Sequence, residues 1–123
     1  MLDLVNLRNR HFKEACRRVM AQSDRPLTTA EIAARAAAQP APRYYCTYEY
    51  ALRCIRVLRH GRLHIKEGRR ARMWREIDGK TRLVQERHGI SLPAALMRVL
   101  AECTASEFFI SPQRAYILAC QAD

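Results

Sequence analysis

Between Arg53 and Arg87 the chain gathers twelve basic residues: Arg53, Arg56, Arg59, Arg62, Lys66, Arg69, Arg70, Arg72, Arg75, Lys80, Arg82 and Arg87. Only four acids stand among them (Glu67, Glu76, Asp78 and Glu86), so this stretch holds a net +8 of the molecule's +10. Of 22 basic residues only Lys13, Lys66 and Lys80 are lysines. Arginine's planar fork grips phosphate oxygens, or the edge of guanine, through two hydrogen bonds, so clustered arginine points to polyanion binding. Double-stranded DNA is the favoured partner. RNA and an acidic protein docked by an adaptor are the competing readings. Coding bias toward Ala and Arg would fill solvated faces with arginine but would not cluster it.

Other reactive side chains form no comparable pattern. His60 and His64 are four apart, the spacing of half a metal site on a helix, but Gly61 is expected to end the helix between them. The five cysteines are odd in number, scattered and without a CxxC pair, which predicts reduced thiols, with Cys16, Cys54 and Cys120 packed among apolar neighbours. No Gly-rich phosphate loop and no paired-carboxylate arrangement stands out, and Glu49, Glu67 and Glu76 read as charge partners of nearby arginines. The expectation is a protein that is not an enzyme and needs neither cofactor nor metal.

Elements must hold these residues in place, and 123 residues that are 49% hydrophobic suffice for one compact domain. No apolar run reaches the roughly 20 residues of a membrane span, and Met1–Asn6 lacks the basic start of a secretory signal. A cytoplasmic protein with no membrane partner is expected.

Helical spacing of Phe12, Cys16, Val19 and Met20 predicts a helix over about Asn9 to Gln22. Thr28-Thr29-Ala30-Glu31 has the spacing of a capping box and predicts a second, running to about Ala38. Pro40 and Pro42 enforce an extended link. Thr47 then caps a third helix with Ala51, Cys54, Ile55 and Leu58 on its core side, stopping at Gly61. Over Arg70 to His88 two patterns compete. Trp74, Ile77, Thr81, Val84 and His88 keep helical spacing, supported by opposite charges four apart at Glu76/Lys80, Asp78/Arg82 and Arg82/Glu86. Asp78-Gly79 is instead a hairpin signal, and with Arg62-Leu63-His64-Ile65-Lys66 alternating before it would make a winged helix with a basic β-hairpin near 62–85. The helix is preferred, with Gly79 costing about 1 kcal/mol relative to Ala. Pro93 to Cys103 and Ser111-Pro112 to Cys120 complete an all-α chain.

An echo at an offset of 64 residues organises these helices. Ala41 to Ala51 aligns with Ala105 to Ala115, each an aromatic pair, an apolar residue, a capping hydroxyl and an Ala in the next helix. Two degenerate three-helix repeats are expected, over about 6–61 and about 70–121, joined by a basic junction at 62–69. The twice-used pattern, Pro40-Ala41-Pro42-Arg43-Tyr44-Tyr45 and Phe108-Phe109-Ile110-Ser111, resembles a group of small, basic bacterial proteins of uncharacterised function that carry the same duplicated aromatic motif. The likeness spans about Phe12 to Cys120. It implies duplication and no activity, and Glu107 stands where the motif has a basic residue.

The third helix is the best candidate reader. Glu49, Arg53, Arg56 and His60 share the side opposite its core stripe, so it could lie in a major groove, with Thr28 to Ala38 as the supporting helix of a loose helix-turn-helix. The link Gln39 to Cys46 is longer than that motif's turn. Arg43-Tyr44-Tyr45 could stack unpaired bases, with Tyr44 turned outward and Tyr45 and Phe109 packed in the cores. The expected nucleic-acid site is Arg43, Tyr44, Arg53, Arg56, Arg59, His60, Arg62, Lys66, Arg69, Arg70 and Arg72. The last helix, apolar almost all round, is expected to be buried or to make a homodimer.

Overall fold

Every helix whose start is capped by a side chain begins where a short polar residue can reach back to free amides. The computed structural model describes residues 3–61 and 67–122. In it Asp3 accepts from the Asn6 amide at 3.1 Å and opens α1, Leu4–Gln22. That cap starts the helix more than a turn earlier than the apolar spacing suggests. Its buried face is Phe12, Ala15, Cys16 and Val19. Thr28 and Glu31 form the predicted capping box of α2, Thr29–Ala37, with Thr28 Oγ1 accepting from the Glu31 amide and Glu31 Oε1 from the Thr28 amide. Thr47, Ser91 and Ser111 cap α3 (Tyr48–Arg59), α5 (Leu92–Glu102) and α6 (Pro112–Cys120) in the same way.

Helix α4, Arg69–His88, runs unbroken through Asp78-Gly79. Its buried residues, Ala71, Trp74, Ile77 and Thr81, keep helical intervals, and a hairpin would put them on both faces. The buried Thr81 hydroxyl donates to the Ile77 carbonyl at 2.7 Å, so it leaves no orphan group in the core. Gly79 is exposed with open space around it, which is why a helix tolerates it there. Gly89 ends α4 with φ +60 and donates its amide to Gln85, the left-handed stop that favours glycine. No strand is present among the described residues; residues 62–66 of the alternative β wing lie outside them. No described helix is long and apolar enough to cross a membrane.

Packing divides the six helices of the described residues into two units, with breaks after Tyr45 and after Cys103. One unit joins α1, α2 and α6; the other joins α3, α4 and α5. The third helix in chain order therefore packs with the fourth and fifth, and the sixth with the first and second. This corrects the expected pairing of α2 with α3 as supporting and reading helices. A link of the length of Gln39 to Cys46 is not the tight turn that would fold one onto the other, and α3 finds its apolar partners on α4 and α5.

In the first unit the two aromatic links meet. Ala41 and Ala105, 64 residues apart, exchange both backbone hydrogen bonds, at 3.0 and 2.9 Å, as an isolated antiparallel bridge. Tyr44 and Phe108 are buried, whereas Tyr45 and Phe109 are only partly so. The expected alternation is thus reversed, and Tyr44, 1% exposed, presents no face to a base. Phe12 meets Phe108 edge-on at 5.3 Å, and Tyr45 stacks over Phe108 at 6.3 Å. The Tyr45 hydroxyl shares a 2.7 Å hydrogen bond with His11 Nδ1, and burial pushes its phenol up to about 12. Phe109 holds φ +51, strained backbone for an aromatic residue. Helix α6 is not buried all round: Tyr116 and Ile117 lie outside, beside a shallow apolar groove with Pro112, and Cys120 is exposed where burial is expected. Cys16 and Cys54 are buried as predicted, and burial pushes the Cys16 thiol up.

The capping box gives a testable titration. Arg25 Nη2 donates to Glu31 Oε2 at 2.6 Å, and with the Thr28 amide it lowers the Glu31 carboxyl from 4.5 to about 2. A depressed carboxyl contributes stability above its unfolded value and loses it as pH falls toward the folded one. A carboxyl NMR titration should show Glu31 changing near pH 2, and Arg25→Ala should move that midpoint up toward 4.5; a wild-type midpoint already at 4.5 contradicts the cap.

Candidate nucleic-acid interface

Charge is divided unequally between the units. The one built from α3, α4 and α5, Cys46–Cys103, has thirteen arginines and lysines against six acids; the other has nine against six. Within the basic unit the acids are not shared out evenly either, and their placement decides which cations remain available.

Asp78 takes two of them. Arg59 Nε donates to Asp78 Oδ1 at 2.8 Å, and Arg82 Nε to Asp78 Oδ2 at 3.1 Å. The Arg59 and Asp78 side chains are only 20% and 15% exposed, and Arg59 Nη2 is buried without a hydrogen-bond partner among the described residues. Arg59 is therefore a packed cation tying the end of α3 to the middle of α4. This corrects its place in the expected binding set, because its charge is spent on Asp78 and its fork is turned away from solvent. Glu67 pairs with Arg75, and Glu76 with Lys80 at 3.8 Å.

A second group pairs with no acid among the described residues. Arg53, Arg56, Arg69 and Arg70 are exposed and form no salt bridge among the described residues. Arg53 and Arg56 lie on the outer face of α3 with Glu49 and His60, while Ala51, Cys54 and Ile55 face the core, which is the predicted separation. Arg69 and Arg70 open α4. Its first turn contains no acid and its N-cap, Gly68, offers no side chain. Cations at a helix N-terminus oppose the helix dipole, so these arginines do not serve α4 itself.

Tyr50 lies between the two sets. Its ring tilts against the buried Trp74 at 5.8 Å, the Arg53 guanidinium sits over it at 5.5 Å from the centroid, and Arg70 Nη2 donates to its hydroxyl at 3.1 Å. Helical spacing makes the Tyr50–Arg53 contact legible in the sequence, yet Tyr50 is absent from the predicted set; the Arg70 contact spans twenty residues and leaves no local signal.

The remaining predicted residues separate clearly. His60 is exposed as the C-cap of α3, and Arg72 is exposed on α4. Arg43 belongs to the other unit, partly buried, its Nε donating to the Tyr44 carbonyl at 3.1 Å. Arg62 and Lys66 lie outside the described residues. No group of three or more potential metal ligands occurs among the described residues.

The two classes of arginine predict different costs of losing their acid. Asp78→Ala leaves a mostly buried guanidinium unpaired and should destabilise the fold by about 2 kcal/mol, below the cost for a fully buried pair. Glu67→Ala, at a surface pair, should cost under about 0.5 kcal/mol. Urea denaturation checks both, and equal costs would contradict the distinction. Compared with known protein families, curated proteins and solved structures, the chain matches none.

Proposed function

We propose that this protein binds nucleic acid, double-stranded DNA in first place, through the outer face of α3 and the first turn of α4, chiefly by contacts to backbone phosphates. The observation that carries the reading is the set Arg53, Arg56, Arg69 and Arg70: exposed guanidiniums that form no ion pair among the described residues, in a unit where Asp78 and Glu67 are taken by other arginines and Glu76 by Lys80. Arg53 and Arg70, both in contact with Tyr50, are cations held close together, and a polyanion relieves such repulsion while releasing its own counterions. Arginine suits this role because each fork can take two phosphate oxygens at once. His60 and Arg72 flank the set. Such phosphate contacts position a protein on a duplex without reading its sequence, which fits a small accessory factor or regulator acting inside the cell.

Salt dependence tests the reading. With about four phosphate contacts the logarithm of the binding constant should fall with the logarithm of salt at a slope near −3.6, roughly a hundredfold loss between about 50 and about 200 mM. Arg53→Ala with Arg56→Ala should weaken duplex binding about tenfold at low salt without changing the unfolding midpoint. Failure to bind a duplex at low salt overturns the DNA reading. Binding confined to single-stranded or structured RNA would move the function there, and binding only to an acidic protein would make the molecule an adaptor.

A further inference from the structure

The two cations nearest Tyr50 are fixed differently from ordinary surface arginines. A free arginine on a helix samples many rotamers and loses that freedom when it grips a ligand, which weakens binding. Arg53 is restrained by the face of the Tyr50 ring and Arg70 by its hydroxyl, and the ring is itself anchored against Trp74, which is fully buried. Tyr50 remains 39% exposed, so the surface it organises is open to solvent. Among the described residues neither guanidinium spends its charge on an acid: a phenol oxygen and an aromatic face satisfy donors without neutralising them.

Resting on the DNA-binding reading, we infer that Tyr50 is the positioning residue of a phosphodiester clamp in which Arg53 and Arg70 hold neighbouring oxyanions of one backbone strand. Tyr50 touches the arginines and not the bases, so the clamp is indifferent to sequence. Arg56 and Arg69 add charge to the same surface without being ordered by the ring. The hydroxyl and the ring have separable tasks: Tyr50→Phe keeps the face under Arg53 and the contact with Trp74 but releases Arg70, whereas Tyr50→Ala releases both.

Duplex binding at low salt, measured for wild type, Tyr50→Phe, Tyr50→Ala, the double variant Arg53→Ala/Arg70→Ala and the triple variant, tests the clamp. Expected are a loss of about threefold for Tyr50→Phe and about tenfold for Tyr50→Ala, and a salt slope shallower by about two for the double variant. Adding Tyr50→Ala to the double variant should change affinity less than twofold, because Tyr50 acts through those two arginines. Emission of Trp74, the single tryptophan, reports whether each variant keeps the fold beneath the site. A wild-type protein that binds the duplex with no response to Tyr50→Phe or Tyr50→Ala overturns the clamp alone, as does a Tyr50→Ala loss undiminished in the triple variant. A wild-type protein that binds no duplex overturns the DNA reading and the clamp with it.

Discussion

The molecule's central constraint is a shortage of acid: thirteen basic side chains share one three-helix unit with six carboxylates. Where the fold places those carboxylates determines everything else about the surface. Asp78 is spent inside, between Arg59 and Arg82, where a poorly solvated guanidinium could not be left alone. That pairing ties α3 to α4 while leaving Arg59 mostly buried. The arginines at the outer face of α3 and the head of α4 form no ion pair among the described residues. One ion pair thus both holds the helices together and leaves the neighbouring surface unbalanced.

The same unit shows how an aromatic side chain can order cations without cancelling them. Had Tyr50 been a glutamate, Arg53 and Arg70 would be held as firmly and neutralised as well. A phenol gives the geometry and keeps the charge. Trp74 completes the arrangement from below, so the exposed pair is supported by the core through a single ring-to-ring contact.

Much of the local structure was legible in the sequence, because capping residues and apolar spacing act over three or four positions. Thr28-x-x-Glu31, Thr47 and Ser111 each mark a helix start, and the 71, 74, 77, 81 face of α4 outweighs the turn signal of Asp78-Gly79. The start at Asp3 is less legible, because the buried stripe of α1 begins only at Phe12 and Leu4, Val5 and Leu7 ahead of it are not fully buried. Tertiary choices were less legible. Tyr44 and Tyr45 are adjacent aromatics, and nothing local decides which turns inward; the link geometry buries Tyr44 and Phe108. Likewise the partner of α3 depends on which apolar faces meet, and chain order suggested α2 where packing selects α4 and α5. Among the expected site residues, charge clustering could not tell Arg59, bound to Asp78 nineteen positions away, from Arg53 and Arg56 on the same helix.

The account predicts a division among arginines of one type, and side-chain NMR can see it directly. With a short duplex added at low salt, the Nε–H signals of Arg53, Arg56, Arg69 and Arg70 should shift and broaden, while those of Arg59 and Arg82, held by Asp78, should stay in place. Shifts that spread evenly over all arginines, or that fall on α1 and α6 and spare α3, would contradict it.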